Sequence, residues 1–213
     1  MYFIHYSCSF QKAAEFLLGS HKKGKIIDLG CGCGTQSIYL ASKGADVLGL
    51  DMDTRALKIL KKRKRYYEES MKKELSIKVE EKNSFEFEYE KAAPIAGMYS
   101  MFAFNMMQPS GRLVDKIDRF MNKGSRIAII DGNNMAWYSR IAPWRRRDVW
   151  SPTEFESELT ERGYRIVSHT GGITLPAAFW AVAPFKLLEE IDTWMSAEDW
   201  IFPISHQILA EKL

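Results

Sequence analysis

Residues 25 to 37 read KIIDLGCGCGTQS, an apolar run holding one aspartate, Asp28, followed by glycines at alternate positions 30, 32 and 34. Glycine takes positive φ freely and, lacking a Cβ, lets another group lie against the main chain. One glycine would serve a turn. Three at this spacing point to a bound ligand. A dinucleotide loop of the G-x-G-x-x-G type would need its third glycine at position 35, where this chain has Thr35. Cys31 and Cys33 lie between the glycines. A C-x-C pair without further cysteines reads as small residues filling a crowded loop rather than as a metal site.

A second group of chemically able residues lies far along the chain. Positions 132–150 hold Trp137, Tyr138, Trp144 and Trp150 among Arg140, Arg145, Arg146 and Arg147. Arginines can clamp a carboxylate or phosphate while aromatic rings take an apolar body. The same mixture also suits a surface loop whose tryptophans dock on the domain. Residues 55–73 carry nine basic side chains on one helical stretch, which invites an RNA reading beside that of a solvated helix face.

An alternation of strands and helices must position these residues. Strands are expected at 25–29, 46–50, 75–82, 97–103, 125–131, 164–169 and 206–212, and helices at 9–18, 36–43, 54–73, 110–122 and 151–162. The last of these helices opens on Ser151, Pro152 and Glu154, which supply a cap, a first-turn proline and a capping-box acid. The order predicts a doubly wound α/β sheet with helices on both faces, in one domain over 1–213. In such a sheet ligands bind outside the carboxyl ends of the strands, where strand order reverses. The loops beginning near 30, 51, 83, 104, 132 and 170 are therefore those expected to matter. Residues 171–204 form a helical insertion expected to cover the pocket. In it Leu187, Leu188, Ile191, Trp194 and Met195 recur at helical spacing, with Glu189, Glu190 and Asp192 opposite, so the apolar side is expected to pack.

Composition narrows the class. The chain has 213 residues, 46% hydrophobic and 27% charged, enough for a sizeable core. A net charge of +3 is too small to imply nucleic acid by itself. Three cysteines make no disulfide framework, which suits a reducing compartment. Residues 1–20 contain polar and charged positions throughout and lack a signal-peptide pattern. The apolar run at 175–185 is too short to span a bilayer and is broken by prolines. A cytoplasmic protein is expected.

The D-x-G-x-G-x-G run of Asp28, Gly30, Gly32 and Gly34 resembles the first motif of the class I S-adenosylmethionine-dependent methyltransferases. The likeness continues through GADVLGLDMD, which places Asp51 17 residues past Gly34, and through KNSF at 82–85. MYSMFAFNMM at 98–107 fits the fourth strand, and 111–131 fits the helix, turn and fifth strand. The resemblance covers residues 10–170 and the final strand. It implies a mostly parallel, seven-stranded sheet with the last strand antiparallel, and S-adenosyl-L-methionine as cofactor. Carried over residue by residue, Asp28 would attract the cofactor's ammonium, and Gly30 and Gly32 would bed its methionine part, with Cys31 and Gly34 in the same loop. Asp51 would accept both ribose hydroxyls. Met52 would pack on the adenine, Ser84 and Phe85 would flank its edge, and the backbone near Ser100 and Met101 would meet the methionine end. The family often begins its fourth strand with an aspartate; here Gly97 stands there, at the end away from the methyl group.

Methyl transfer is an in-line displacement, so alignment of nucleophile and methyl group supplies much of the rate. A hydroxyl acceptor would benefit from a base, for which His5, Tyr6, Tyr138 and His169 are candidates, each equally readable as a structural residue. No N-P-P-Y or D-P-P-Y run follows the fourth strand; FAFNMMQP there disfavours an amino nitrogen of a nucleobase or glutamine as acceptor. The expected function is methyl transfer to a small, apolar or aromatic acceptor with an anionic group. Trp137, Tyr138, Arg140, Trp144, Arg145, Arg146, Arg147, Phe179 and Trp180 are its expected contacts. Two alternatives stand beside it: an RNA methyltransferase using 55–73 and 140–147, and a cofactor-binding protein without activity.

Overall fold

The structure, a computed structural model, describes residues 2–20, 24–133, 152–171, 184–197, 203 and 205–213. Among these the strands are β1 (Lys25–Leu29), β2 (Val47–Asp51), β3 (Ile77–Glu81), β4 (Ile95–Met101), β5 (Met121–Gly132), β6 (Tyr164–Gly171) and β7 (Ser205–Lys212). The α-helices are α1 (Tyr2–Leu18), α2 (Thr35–Ser42), α3 (Thr54–Met71), α4 (Ser110–Asp118), α5 (Pro152–Glu161) and α6 (Phe185–Ala197). The strands pair in the order β3-β2-β1-β4-β5-β7-β6. β1 to β5 run parallel, and β7 is antiparallel to both β5 and β6, so β6 shares the common direction. This is the doubly wound, mostly parallel sheet expected, with strand order reversing between β1 and β4. Among the described residues no helix is long and apolar enough to cross a membrane.

Two apolar layers hold the sheet, because alternate residues of each strand point to opposite faces. On one face Ile26, Val47, Tyr99, Ala128 and Ile130 pack with Leu17 of α1, Leu40 of α2 and Leu60 of α3. On the other, Ile27, Leu50, Met98, Ile127 and Ile208 pack with Leu113 and Ile117 of α4 and Phe155 and Leu159 of α5. Central parallel strands covered on both faces read as continuous apolar runs, and every residue of β1 after Lys25 is buried whichever face it points to, Asp28 included.

Several expected boundaries shift. α1 begins at Tyr2 rather than near residue 9, since no glycine or proline interrupts 2–18. α4 stops at Asp118, and β5 starts at Met121 rather than 125, because Phe120 and Met121 join the core beside Ile117. The early part of β5 bulges around Gly124 (φ 78°), so that Met121 pairs with Ile95 while Arg126 pairs with Gly97. Gly97 is thus inside β4, not its first residue. A Cβ there would lie 3.0 Å from Leu17 of α1 and 3.0 Å from the Arg126 carbonyl oxygen, so the small residue lets α1 approach the sheet.

α6 overturns the expected division of the insertion. Leu188 and Asp192 are buried, whereas Leu187, Ile191 and Trp194 are 51%, 37% and 58% exposed. Adjacent residues are about 100° apart around a helix. The line through 188 and 192 that turns inward therefore leaves the 187–191–194 stripe outside, and one of the acids expected on the solvent side is buried.

Candidate functional site

A cleft of about 500 Å³ opens at the carboxyl ends of β1 to β4, at the reversal of strand order. Gly30 lines it after β1, Leu50, Asp51 and Met52 at the end of β2, and Lys82 to Phe85 after β3. Ala103, Met106, Met107 and Gln108 close it after β4. A Cβ on Gly30 would come within 2.3 Å of the Ala103 Cβ, so the two loops meet only because position 30 is bare. Met52 and Met106 are 67% and 77% exposed, and bring two flexible, polarisable side chains to the rim.

Asp51 is the anchoring carboxylate. Its Oδ2 accepts the Gly32 N–H at 2.7 Å and its Oδ1 accepts the Asp53 N–H at 2.8 Å. An ionised carboxylate offers about four acceptor positions, so these two bonds orient it and leave capacity for a diol. Asp53 in turn caps α3, accepting from Arg55 N at 2.8 Å and Ala56 N at 3.3 Å. The other loop glycines answer to packing. Gly34, at φ 76°, begins α2, and a Cβ there would lie 2.3 Å from Leu60 of α3. Cys31 is buried with its sulfur under Gly49 of β2, where a Cβ would meet it at 2.8 Å. Burial, with the charges of Asp28 and Asp51, pushes the Cys31 thiol well up.

Asp28 lies beneath the loop and faces α2. It is 2% exposed and its Oδ2 accepts the Ser37 hydroxyl at 2.5 Å. Burial pushes its carboxyl up to about 7; the Ser37 hydrogen bond opposes this and the Asp51 charge adds to it. Two carboxylates thus converge on the glycine loop, an electrostatic setting that favours a cation. A cavity of a few hundred Å³ with apolar walls and a few placed polar groups is the usual form of a small-ligand site. The donor set here, an oriented carboxylate, a bare loop and thioether walls, fits a cationic nucleoside such as S-adenosylmethionine.

Of the cofactor residues expected from the sequence, Gly30, Asp51, Met52, Ser84 and Phe85 meet in the cleft. Asp28, Cys31, Gly32, Gly34, Ser100 and Met101 are not among its lining residues. Ser100 donates its hydroxyl to the Leu29 carbonyl at 3.0 Å, and Gln36 donates to the Met101 sulfur at 2.9 Å. Ala103, Met106, Met107 and Gln108 were not singled out as contacts, although the segment FAFNMMQP was placed after the fourth strand. Their only sequence signal is that position, just past a strand end on the ligand edge.

The base candidates scatter. His5 and Tyr6 lie on α1. Tyr138 is outside the described residues, as are the acceptor contacts expected at Trp137, Arg140, Trp144, Arg145, Arg146, Arg147, Phe179 and Trp180. His169, on edge strand β6, has its Nδ1 3.0 Å from a Glu156 carboxylate oxygen and its ring 5.6 Å from that of His206. His206 is buried, and desolvation followed by the neighbouring His169 holds its pKa down to about 3. Alongside, buried Asp131 accepts the Asn105 backbone N–H at 2.8 Å and its side-chain N–H at 2.7 Å. Burial raises the Asp131 pKa against these donors. Asn105 also donates to the Gly132 carbonyl at 3.1 Å. The loop that walls the cleft after β4 is thereby pinned to the end of β5.

Comparison with known proteins agrees with this geometry. The family model described as a methyltransferase domain matches residues 20–171, more than half of the chain. No curated protein sequence matches. Among solved structures, a protein from Listeria monocytogenes assigned as an S-adenosylmethionine-dependent methyltransferase superposes with a TM-score of 0.69 at 16% identity, covering 98% of each chain. Magnesium protoporphyrin IX methyltransferase (ChlM) from Synechocystis PCC 6803 with bound SAM gives 0.64 at 12% identity, covering 99% of this chain and 81% of the other. The plantazolicin methyltransferase BpumL in complex with SAH gives 0.61 at 16%, covering 99% and 85%. With the matched domain, the reversal-point cleft and the Asp51-anchored glycine loop together, the chain belongs to the class I S-adenosylmethionine-dependent methyltransferases.

Proposed function

We propose that the enzyme methylates a small acceptor with an apolar or aromatic body and an anionic group. The observation that carries this reading is the junction at Asn105. The loop walling the cofactor cleft is hydrogen-bonded through that residue to Asp131 and Gly132, where the segment rich in tryptophan and arginine begins. The cleft wall thus adjoins the strand end from which that segment continues in the sequence. β6 ends at that same edge at Gly171, where the second aromatic segment begins. Two of the similar structures are enzymes named for magnesium protoporphyrin IX and for plantazolicin, neither of them a nucleic acid.

In this reading Asp51 holds the ribose hydroxyls, Met52, Ser84 and Phe85 hold the adenine, and Gly30 forms the bare floor. Asp28 biases the loop toward the cofactor's positive end from beneath. When bound, the cofactor supplies a sulfonium methyl open to in-line attack. The chain's part is to align the acceptor, keep water out and anchor the acceptor's anion on arginine. The RNA reading loses support from the basic stretch 55–73, where Arg63 of α3 donates to Cys33 O and Thr35, Lys64 of α3 pairs with Glu68, and Lys73 just past the helix donates to Ser42 O. Part of its basic charge is spent within the fold.

The test is turnover with labelled cofactor against a panel of hydroxylated aromatic carboxylates and, separately, transfer RNA transcripts. Replacing Arg145, Arg146 and Arg147 together by alanine should lower turnover of an anionic aromatic by about tenfold or more while cofactor affinity stays within about twofold. Turnover confined to RNA, lost steeply with salt, would overturn the proposal in favour of the second reading.

A further inference from the structure

The charges of α4 meet along a crevice of about 520 Å³, where Arg112, Lys116 and Arg119 follow one another at i, i+4 and i+7 and Asp115 lies among them. Arg162 of the α5–β6 turn takes up that acid at 2.7 Å and lies within 4.0 Å of Glu158, so three basic side chains face one already paired carboxylate in the crevice. Lys116 is tied to the Phe85 carbonyl oxygen. Arg112 is exposed and makes no hydrogen bond or ion pair among the described residues. The first turn of α4 holds no acid, and its cap residue, Pro109, makes no side-chain hydrogen bond. The positive end of the helix dipole therefore adds to the unneutralised Arg112.

We propose that this crevice is a second ligand site, built for a small polyphosphate and coupled to the cofactor cleft. From Arg112 to Arg119 the helix rises roughly 10 Å, a span that one phosphate cannot bridge and a chain of phosphates can. The volume is that of a small-molecule site, walled off at one end by Phe85 and Gln108. Both of those residues also line the cofactor cleft. A ligand that orders them changes cofactor affinity, and the cofactor changes its affinity by the same factor.

The test is calorimetric titration of the full chain with inorganic triphosphate, against potassium chloride at equal ionic strength. It reads binding alone and so stands apart from the identity of the methyl acceptor. Saturable binding is expected, weakened about tenfold or more in Arg112→Ala with Arg119→Ala. The length-preserving Arg112→Gln with Arg119→Gln should show the same loss. Cofactor affinity without triphosphate should stay within about twofold in both variants, and its change on adding triphosphate should vanish in both. Heat indistinguishable from that of the chloride overturns the site, as does triphosphate binding that both variants retain. Binding of a single-stranded RNA dodecamer that the variants abolish, with no triphosphate binding, also overturns it and assigns the crevice to nucleic acid.

Discussion

The carboxylate of Asp51 accepts the amide of Gly32 at 2.7 Å, tying the end of β2 to a loop 19 residues earlier in the chain. Its other oxygen takes the Asp53 amide at 2.8 Å. The group that would meet the cofactor's ribose is thus oriented before any ligand arrives, and pre-organisation of this kind removes part of the entropic cost of binding.

Asp51→Ala should weaken cofactor binding by about 1–3 kcal/mol, the cost of leaving hydrogen-bonding groups unpaired. The residue ends its strand and is half-buried, so the fold should persist. Calorimetric titration with the cofactor and its demethylated product, beside a thermal melt, checks both halves. Unchanged affinity with collapsed stability would make Asp51 a structural residue.

The loop glycines should separate by cost. Gly32→Ala meets no atom within 4 Å, so only its left-handed backbone (φ 50°) is penalised, by about 1–2 kcal/mol. Gly34→Ala carries the same penalty at φ 76° and also drives a Cβ to 2.3 Å from Leu60. It should destabilise the fold more, and adding Leu60→Ala should recover part of the difference relative to Leu60→Ala alone. Urea unfolding of the four variants decides; equal costs at 32 and 34 would contradict the packing role.

Asp28 predicts a pH dependence with a definite sign. Burial raises its folded-state pKa to about 7 from the usual 3.8. Its contribution to stability is fully present below 3.8 and is lost as pH rises through about 7. Asp28→Asn keeps an oxygen for the Ser37 hydroxyl and cannot ionise. Its stability relative to the parent should therefore climb from pH 4 toward pH 7 by up to about 1.4 kcal/mol per unit. His206 acts oppositely, its contribution to stability being present above 6.5 and lost as pH falls toward about 3, but it is common to both proteins and cancels in the difference. Urea unfolding of both across that range is the measurement, and a constant difference would refute the assignment.

What the sequence determined by itself was local. Alternating runs and helical periods placed the strands and helices to within a few residues, the start of α1 apart, because period and caps depend on neighbours a turn away. The run from Asp28 to Thr35 separated this loop from a dinucleotide motif, and the resemblance that this run and Asp51 carry implied the cofactor. Only the tertiary structure decided which atoms meet. Gly30 is bare because Ala103 presses on it, and Gly34 because Leu60 of α3 does; each partner lies dozens of residues away, and no local pattern encodes the contact. The wall of Ala103, Met106, Met107 and Gln108 follows from Asp131 pinning Asn105 across two strands. α6 shows the same limit: its apolar spacing is legible, but only packing decides that Asp192 turns inward and Trp194 outward. A helix's periodicity defines a stripe, and the sheet and loops around it determine which stripe is covered.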